Sequence, residues 1–137
     1  MPYAHCAVIV RTMMEMRVLA ERLSVCRLPH DAPWPQPVDS GFFSVTRTDQ
    51  EISVVCREDA VPPAARTEAD WRAIEVAGPL DFALIGVLAE LTAPLAEVDV
   101  SVFVISTYDT DYLLVHAGAL ERAVDALRAQ GHVVHAE

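Results

Sequence analysis

The sequence contains no lysine. All ten of its basic residues are arginines, set against 20 acidic ones, for a formal net charge of −10. Such a chain has no basic stripe to lay along a phosphate backbone and is repelled by anionic surfaces, which argues against nucleic acid and anionic membranes as partners. Cysteine is scarce as well. Cys6, Cys26 and Cys56 are odd in number, widely spaced and set in apolar or alternating runs. They read as reduced, buried thiols of a cytoplasmic protein, not as a disulfide framework or a zinc site. Long apolar runs are missing too, and none reaches the length that crosses a bilayer. The first residues, MPYAHCAVIVRT, include a short apolar stretch but neither a basic leader nor a small-residue cleavage site, so no secretory signal is expected.

Hydrophobic residues are abundant, at 53% of 137 residues, enough core material for one compact domain or two very small ones. The chain is organised around Val102–Val115, VFVISTYDTDYLLV, in which two strand-length apolar runs flank the polar corner Ser106-Thr107-Tyr108-Asp109-Thr110-Asp111. Asp and Thr side chains bond nearby backbone, so this corner has turn chemistry. A second copy of the design lies at Phe43–Val55, FSVTRTDQEISVV. At an offset of 60 residues Phe43 meets Phe103, Thr46 meets Ser106, Asp49 meets Asp109, Glu51 meets Asp111 and Val55 meets Val115, which marks an internal repeat of two hairpins.

Residues 1–15 carry little signal beyond a possible strand at Cys6–Val10 and are set apart as an N-terminal extension. Leu23–Leu28 alternates as a strand does. Four prolines between Pro29 and Gly41 exclude a long helix and leave room for at most a turn of one around Trp34–Val38. The stretch 61–69, with Pro62-Pro63, reads as a linker. Beyond it, Trp71–Val76 suits a strand, Asp81 a helix N-cap, and Leu84, Leu88, Leu91 and Leu95 one face of a helix running towards Glu97, with a kink or early end near Ala93 imposed by Pro94. An amphipathic helix over Ala119–Gln130, Gly131 just past its end and a strand over His132–His135 complete the chain. The second half, 70–137, thus runs strand, helix, strand, strand, helix, strand, the ferredoxin-like order. The first, 16–60, is a degenerate copy with a proline-rich turn in place of its first helix. The expected fold is α+β, with two tandem ferredoxin-like βαββαβ units and antiparallel sheets.

With these residues in view, the chain resembles the ACT-domain family, and within it the stand-alone bacterial proteins with two tandem ACT units that are related to the arginine-sensing CASTOR proteins of animals. Phe42-Phe43-Ser44-Val45-Thr46-Arg47-Thr48, Trp71-Arg72, Gly78-Pro79-Leu80-Asp81-Phe82 and Ile105–Tyr112 carry the resemblance, which runs from about Met16 to Val134. It implies a non-enzymatic regulatory module that binds a small molecule, typically a free amino acid, where two ACT units meet. It places the ligand against Leu80, Asp81 and Phe82 in the loop before the first helix, and Ser106, Thr107, Tyr108 and Asp111 in the hairpin corner. A loop leading into a helix offers backbone N–H groups and a positive dipole end to a carboxylate, and Asp111 suits an α-ammonium group. Leu84 stands where the arginine sensor has an acidic residue, which points to an apolar or small amino acid. The resemblance also implies a homodimer and a regulated protein partner.

Other chemistry finds little support. Asp109-Thr110-Asp111 has the form of a metal-binding DxD but also of a turn in which acids bond local backbone. His132 and His135 fall on opposite sides of a strand. Ser106 has no histidine at an arguable distance and no nucleophile-elbow pattern around it. Trp34 and Trp71 read as core or interface residues. No catalytic residue, metal ligand or cofactor is assigned. The alternative function is a structural or protein–protein interaction module whose ligand site is vestigial.

Overall fold

The computed structural model describes residues 13–37, 40–78 and 85–136. The strand expected at Cys6–Val10 and the cap expected at Asp81 fall outside them. The fold is α+β and dominated by strands: β1 Glu15–Val18, β2 Leu23–Leu28, β3 Phe43–Arg47, β4 Ile52–Arg57, β5 Arg66–Val76, α1 Val87–Glu97, β6 Phe103–Ser106, β7 Asp111–His116, α2 Leu120–Ala129 and β8 Val133–His135. The chain forms two compact units, one of residues 20–72 and one of residues 1–19 together with 73–137.

In the 20–72 unit the strand order is β3-β4-β2-β5. β4 pairs antiparallel with β3 (Phe43 opposite Cys56) and with β2 (Leu23 opposite Arg57). Cys26, Leu28, Ile52, Val54 and Cys56 form its core, with Phe43, Val45 and Val61 packed against them. Both cysteines are free thiols and buried. Among the described residues this unit has no α-helix; 33–37 is irregular, and only a 3-10 turn at Glu58–Ala60 follows β4. Strand begins at Arg66, inside the stretch that composition assigns to a linker. β5 carries one extra residue against β2 between the pairs Leu23–Trp71 and Val25–Glu68, and Asp70 there has φ +66°. Asp70 takes a left-handed conformation at this bulge, one that Asp tolerates better than most residues.

In the other unit β5, β6, β7 and β8 with α1 and α2 run in the βαββαβ order, and β1 enters the sheet as a fifth strand. β1 pairs antiparallel with β5 (Met16 opposite Val76) and parallel with β8 (Met16 opposite Val134), while β7 pairs with β5 and β6. The short stretch Met14–Val18 is held at its start by Met14, whose N–H donates to His132 Nδ1 at 3.0 Å and whose carbonyl accepts from Val133 N–H. One face of the sheet presents Met16, Val18, Ile74, Val76, Leu113, Val115 and Val134 to Leu91, Leu95 and Val100 of the α1 region and Ala123, Val124 and Leu127 of α2. Each Leu or Ile fully buried in this layer is worth about 1.5–3 kcal/mol relative to exposure.

Both helices end in the same motif. Gly131 (φ +95°) follows α2, with Gly131 N–H bonded to Arg128 O and His132 N–H to Leu127 O. After α1, Asp99 (φ +60°) takes the glycine's place, with Asp99 N–H bonded to Ala96 O and Val100 N–H to Leu95 O. These are Schellman closures that satisfy the last carbonyls. α1 reaches Glu97, the end expected, and of the two effects expected of Pro94 the early end near Ala93 does not occur. Pro94 is buried with Leu91 and Leu95, which holds the last turn although the ring removes one hydrogen bond. Leu88, expected inward, is exposed.

The hairpins also correct the repeat. Thr48 N–H bonds Glu51 O at 2.9 Å, and Thr107 N–H bonds Thr110 O at 2.8 Å, so the turns superimpose at 59 residues, not 60. The faces agree: Val45 packs on its core in the first hairpin and Val104 in the second. A one-residue shift reverses every side chain of a strand. Phe103 is therefore not the counterpart of Phe43, and the partners of Ser106 and Asp111 in the first hairpin are Arg47 and Ile52, which pair in register as Ser106 and Asp111 do.

Candidate functional site, the β6–β7 corner

Ser106 ends β6, Asp111 begins β7, and the two stand opposite each other in the ladder. Register thus puts a hydroxyl beside a carboxylate, and Ser106 Oγ donates to Asp111 Oδ1 at 2.5 Å. Between them four residues close the turn. Thr107 Oγ1 donates to Thr110 O at 3.1 Å and accepts from Thr110 N–H at 3.3 Å, so the Thr107 side chain is consumed in shaping the corner. Tyr108, at the apex, is 82% exposed.

Thr110 gives the corner its position. It is buried, and its hydroxyl donates to Val76 O at 2.7 Å. Val76 is the last residue of β5, and the next residue, Ala77, donates its N–H to Glu15 O at 2.8 Å. The chain therefore sets out from β5 towards α1 beside the polar corner. Gly86, with φ +85°, precedes the first turn of α1 and offers no side chain to cap its N–H groups. On the same strands Tyr112 OH donates to Glu75 Oε2 at 2.9 Å, and Glu75 pairs with Arg17 at 2.7 Å. Burial, then the Glu75 carboxylate, raises the pKa of the Tyr112 phenol.

Of the residues that sequence assigns to the site, Ser106, Thr107, Tyr108 and Asp111 come together in one turn. Leu80, Asp81 and Phe82 lie outside the described residues. Sequence reasoning missed Thr110 as the anchor and the Arg17–Glu75–Tyr112 relay, because both depend on pairings between β7, β5 and β1 that leave no local signal. Among the described residues no group of three or more His, Cys, Asp or Glu side chains is placed to hold a metal ion. His132 is buried and accepts from Met14 N–H, and His135 faces Glu15 Oε2 at 2.7 Å. No helix of the described residues is long and apolar enough to cross a membrane.

The described residues thus form a polar corner held against the end of the first strand of a βαββαβ unit. The family model for the ACT domain matches residues 66–129, and a second model, for an N-terminal domain, matches residues 21–64. The chain belongs to the ACT-domain family and is related to the cytosolic arginine sensors of animals. It is 28% identical to the cytosolic arginine sensor for mTORC1 subunit 1 of Bos taurus, over 83% of this chain and 42% of that one. It is 39% identical to the Rattus norvegicus protein of the same name, over 69% of this chain and 31% of that one. The chain thus spans less than half the length of these relatives. Among solved structures, that of an Agrobacterium tumefaciens protein matches at 32% identity and a TM-score of 0.85, over 92% of this chain and 95% of that one. The regulatory subunit of aspartate kinase from Thermus flavus shares the fold, with a TM-score of 0.62 and 11% identity over 85% of this chain and 96% of that one.

Proposed function

We propose that the protein is a non-enzymatic, cytoplasmic regulatory module that binds a free amino acid at the β6–β7 corner and the adjoining β5–α1 loop. In this reading the Asp111 carboxylate holds the α-ammonium group and Ser106 sets the carboxylate's orientation. Tyr108 covers the ligand, and backbone at the corner and along Leu80-Asp81-Phe82 receives the α-carboxylate. Leu84, where the arginine sensors have an acidic residue, selects an apolar or small side chain over a cationic one. The site is completed by another ACT unit, which in a homodimer comes from a second copy, and the ligand stabilises one arrangement of units that a regulated protein reads.

The observation that carries this reading is the buried Thr110–Val76 hydrogen bond, which fixes the one corner bearing a Ser–Asp pair against the strand end where the β5–α1 loop begins. The equivalent corner of the first hairpin has Arg47 and Ile52 at those positions, so each chain supplies one such site. The name of the curated relatives supports the class of ligand, since they are arginine sensors.

The test is a thermal-shift screen against the twenty amino acids, followed by calorimetry on Asp111→Ala. A ligand present at a hundred times its dissociation constant adds about 2.7 kcal/mol, a shift of several degrees. One or two amino acids should raise the midpoint, and Asp111→Ala should abolish the shift while keeping the native circular dichroism spectrum. A second reading, an interaction module with a vestigial site, draws on the Ser106 hydroxyl already engaging Asp111 and on the exposed Ile85 and Leu88 around the start of α1. A flat screen at millimolar concentrations would favour it.

A further inference from the structure

We propose that the cavity between the turns Pro29–Ala32 and Pro62–Ala65 is a second binding site, for a planar aromatic small molecule that carries hydrogen-bond donors and no negative charge. The cavity lies wholly within the 20–72 unit and has a volume of about 630 Å³, inside the range of about 300–1,000 Å³ that small-molecule pockets occupy. Pro29, Pro33, Pro35, Pro62 and Pro63 form much of its wall with Trp34.

Three features make this wall more than an incidental hollow. First, Trp34 is 52% exposed and is not part of the unit's core. Its flanking residues Pro33 and Pro35 restrict the backbone on both sides, so a ring stacked on the indole costs little ordering entropy. Second, each lip is a closed turn: Ala32 N–H bonds Pro29 O at 3.0 Å and Ala65 N–H bonds Pro62 O at 3.3 Å. Third, Ala64 lines the cavity with φ +65°, a conformation in which glycine is the ordinary residue. The chain tolerates that strain and keeps a methyl group on the wall.

The chemistry of the lining selects the ligand. Five of the lining residues are prolines, which contribute no N–H donors, and the Gln36 amide already donates from Nε2 to Trp34 O at 3.3 Å, so the wall is poor in donors. None of the lining residues is charged, and the protein as a whole carries −10. An anion would meet no cationic partner here and would be repelled at long range. A donor-bearing aromatic ring would stack on Trp34 and the proline faces, and a cationic substituent would gain from the indole face as well.

Calorimetric titration of the whole protein with indole, tryptamine and indole-3-propionate tests the proposal. Indole and tryptamine should bind, and the carboxylate at least tenfold more weakly than the amine. Trp34→Ala should weaken tryptamine at least tenfold. Ala64→Gly should weaken it several-fold without lowering the melting temperature, a split that a purely structural role for Ala64 would not produce. Asp111→Ala should leave these affinities unchanged, which keeps this site separable from the β6–β7 corner. Absence of binding by all three compounds at millimolar concentration, equal affinity in Trp34→Ala, or equal affinity for acid and amine would each overturn the assignment.

Discussion

Thr110 is the least conspicuous residue of its corner and the one on which the corner's position rests. Its hydroxyl is the partner of a backbone carbonyl at the end of β5, in a buried setting. Thr110→Val keeps the shape and removes the hydroxyl that donates to the Val76 carbonyl, at a cost of about 0.5–1.5 kcal/mol. Chemical denaturation should show that loss, and Thr110→Ser should recover most of it. Cys56 yields a second residue-level prediction. Burial, reinforced by the neighbouring Cys26 thiol, pushes its pKa from 9.0 up to about 12. The unfolded chain then ionises before the folded one. The contribution of Cys56 to stability is complete below pH 9 and is lost as pH rises towards about 12, at roughly 1.4 kcal/mol per pH unit. Tyr112, whose pKa is also raised, adds a loss of the same sign above its ordinary value of 10.0. Stability measured from pH 8 to 11 should fall less steeply in Cys56→Ala, and less steeply again when Tyr112→Phe is added. An unchanged slope in both variants would show that neither group titrates differently on folding.

The elements themselves were largely legible. Leu23–Leu28, both hairpins, α2 and Gly131 are local patterns of alternation, helical spacing and turn chemistry, and the structure has strands, a helix and a cap there. What failed was register. Asp49 and Asp109 invite alignment at 60 residues, yet turn closure is set by which backbone N–H reaches which carbonyl, and the Thr48 and Thr107 bonds put the hairpins 59 apart. Composition could not see that, so Glu51 passed for the counterpart of Asp111. Helix α1 ends at Glu97 as expected, and the early end that Pro94 allowed near Ala93 does not occur, because propensity omits the packing of Leu91, Pro94 and Leu95. Its C-terminus gives an element-level prediction. Asp99 holds a left-handed conformation where α2 has Gly131, and it places a carboxylate at the negative end of the helix dipole. Asp99→Gly should remove both costs and stabilise the protein by about 1 kcal/mol, seen as a rise of a few degrees in melting temperature. A fall would mean that the Asp99 side chain has a partner worth more than the strain.

At the scale of the whole chain, the division into halves that a reader of the sequence makes at residue 70 differs from the division that packing makes. β1 lies between β5 and β8, adding Met16 and Val18 to the core that α1 and α2 cover. Its main contacts are remote in sequence, the Met14–His132 bond joining residues 118 positions apart, and no local pattern in a four-residue strand announces them. Residues 70–137 alone, although they contain every element of a βαββαβ unit, would lack that central strand. β5 and β8 would each expose an unpaired edge, and Ile74, Val76 and Val134 would lose apolar neighbours. A fragment of residues 70–137 should therefore show no cooperative thermal transition, whereas adding a peptide of residues 13–19 in trans should restore one, with a midpoint that rises with peptide concentration. If the fragment melts cooperatively without the peptide, β5 and β8 can close on each other directly, and β1 is an ornament on the unit and not one of its structural strands.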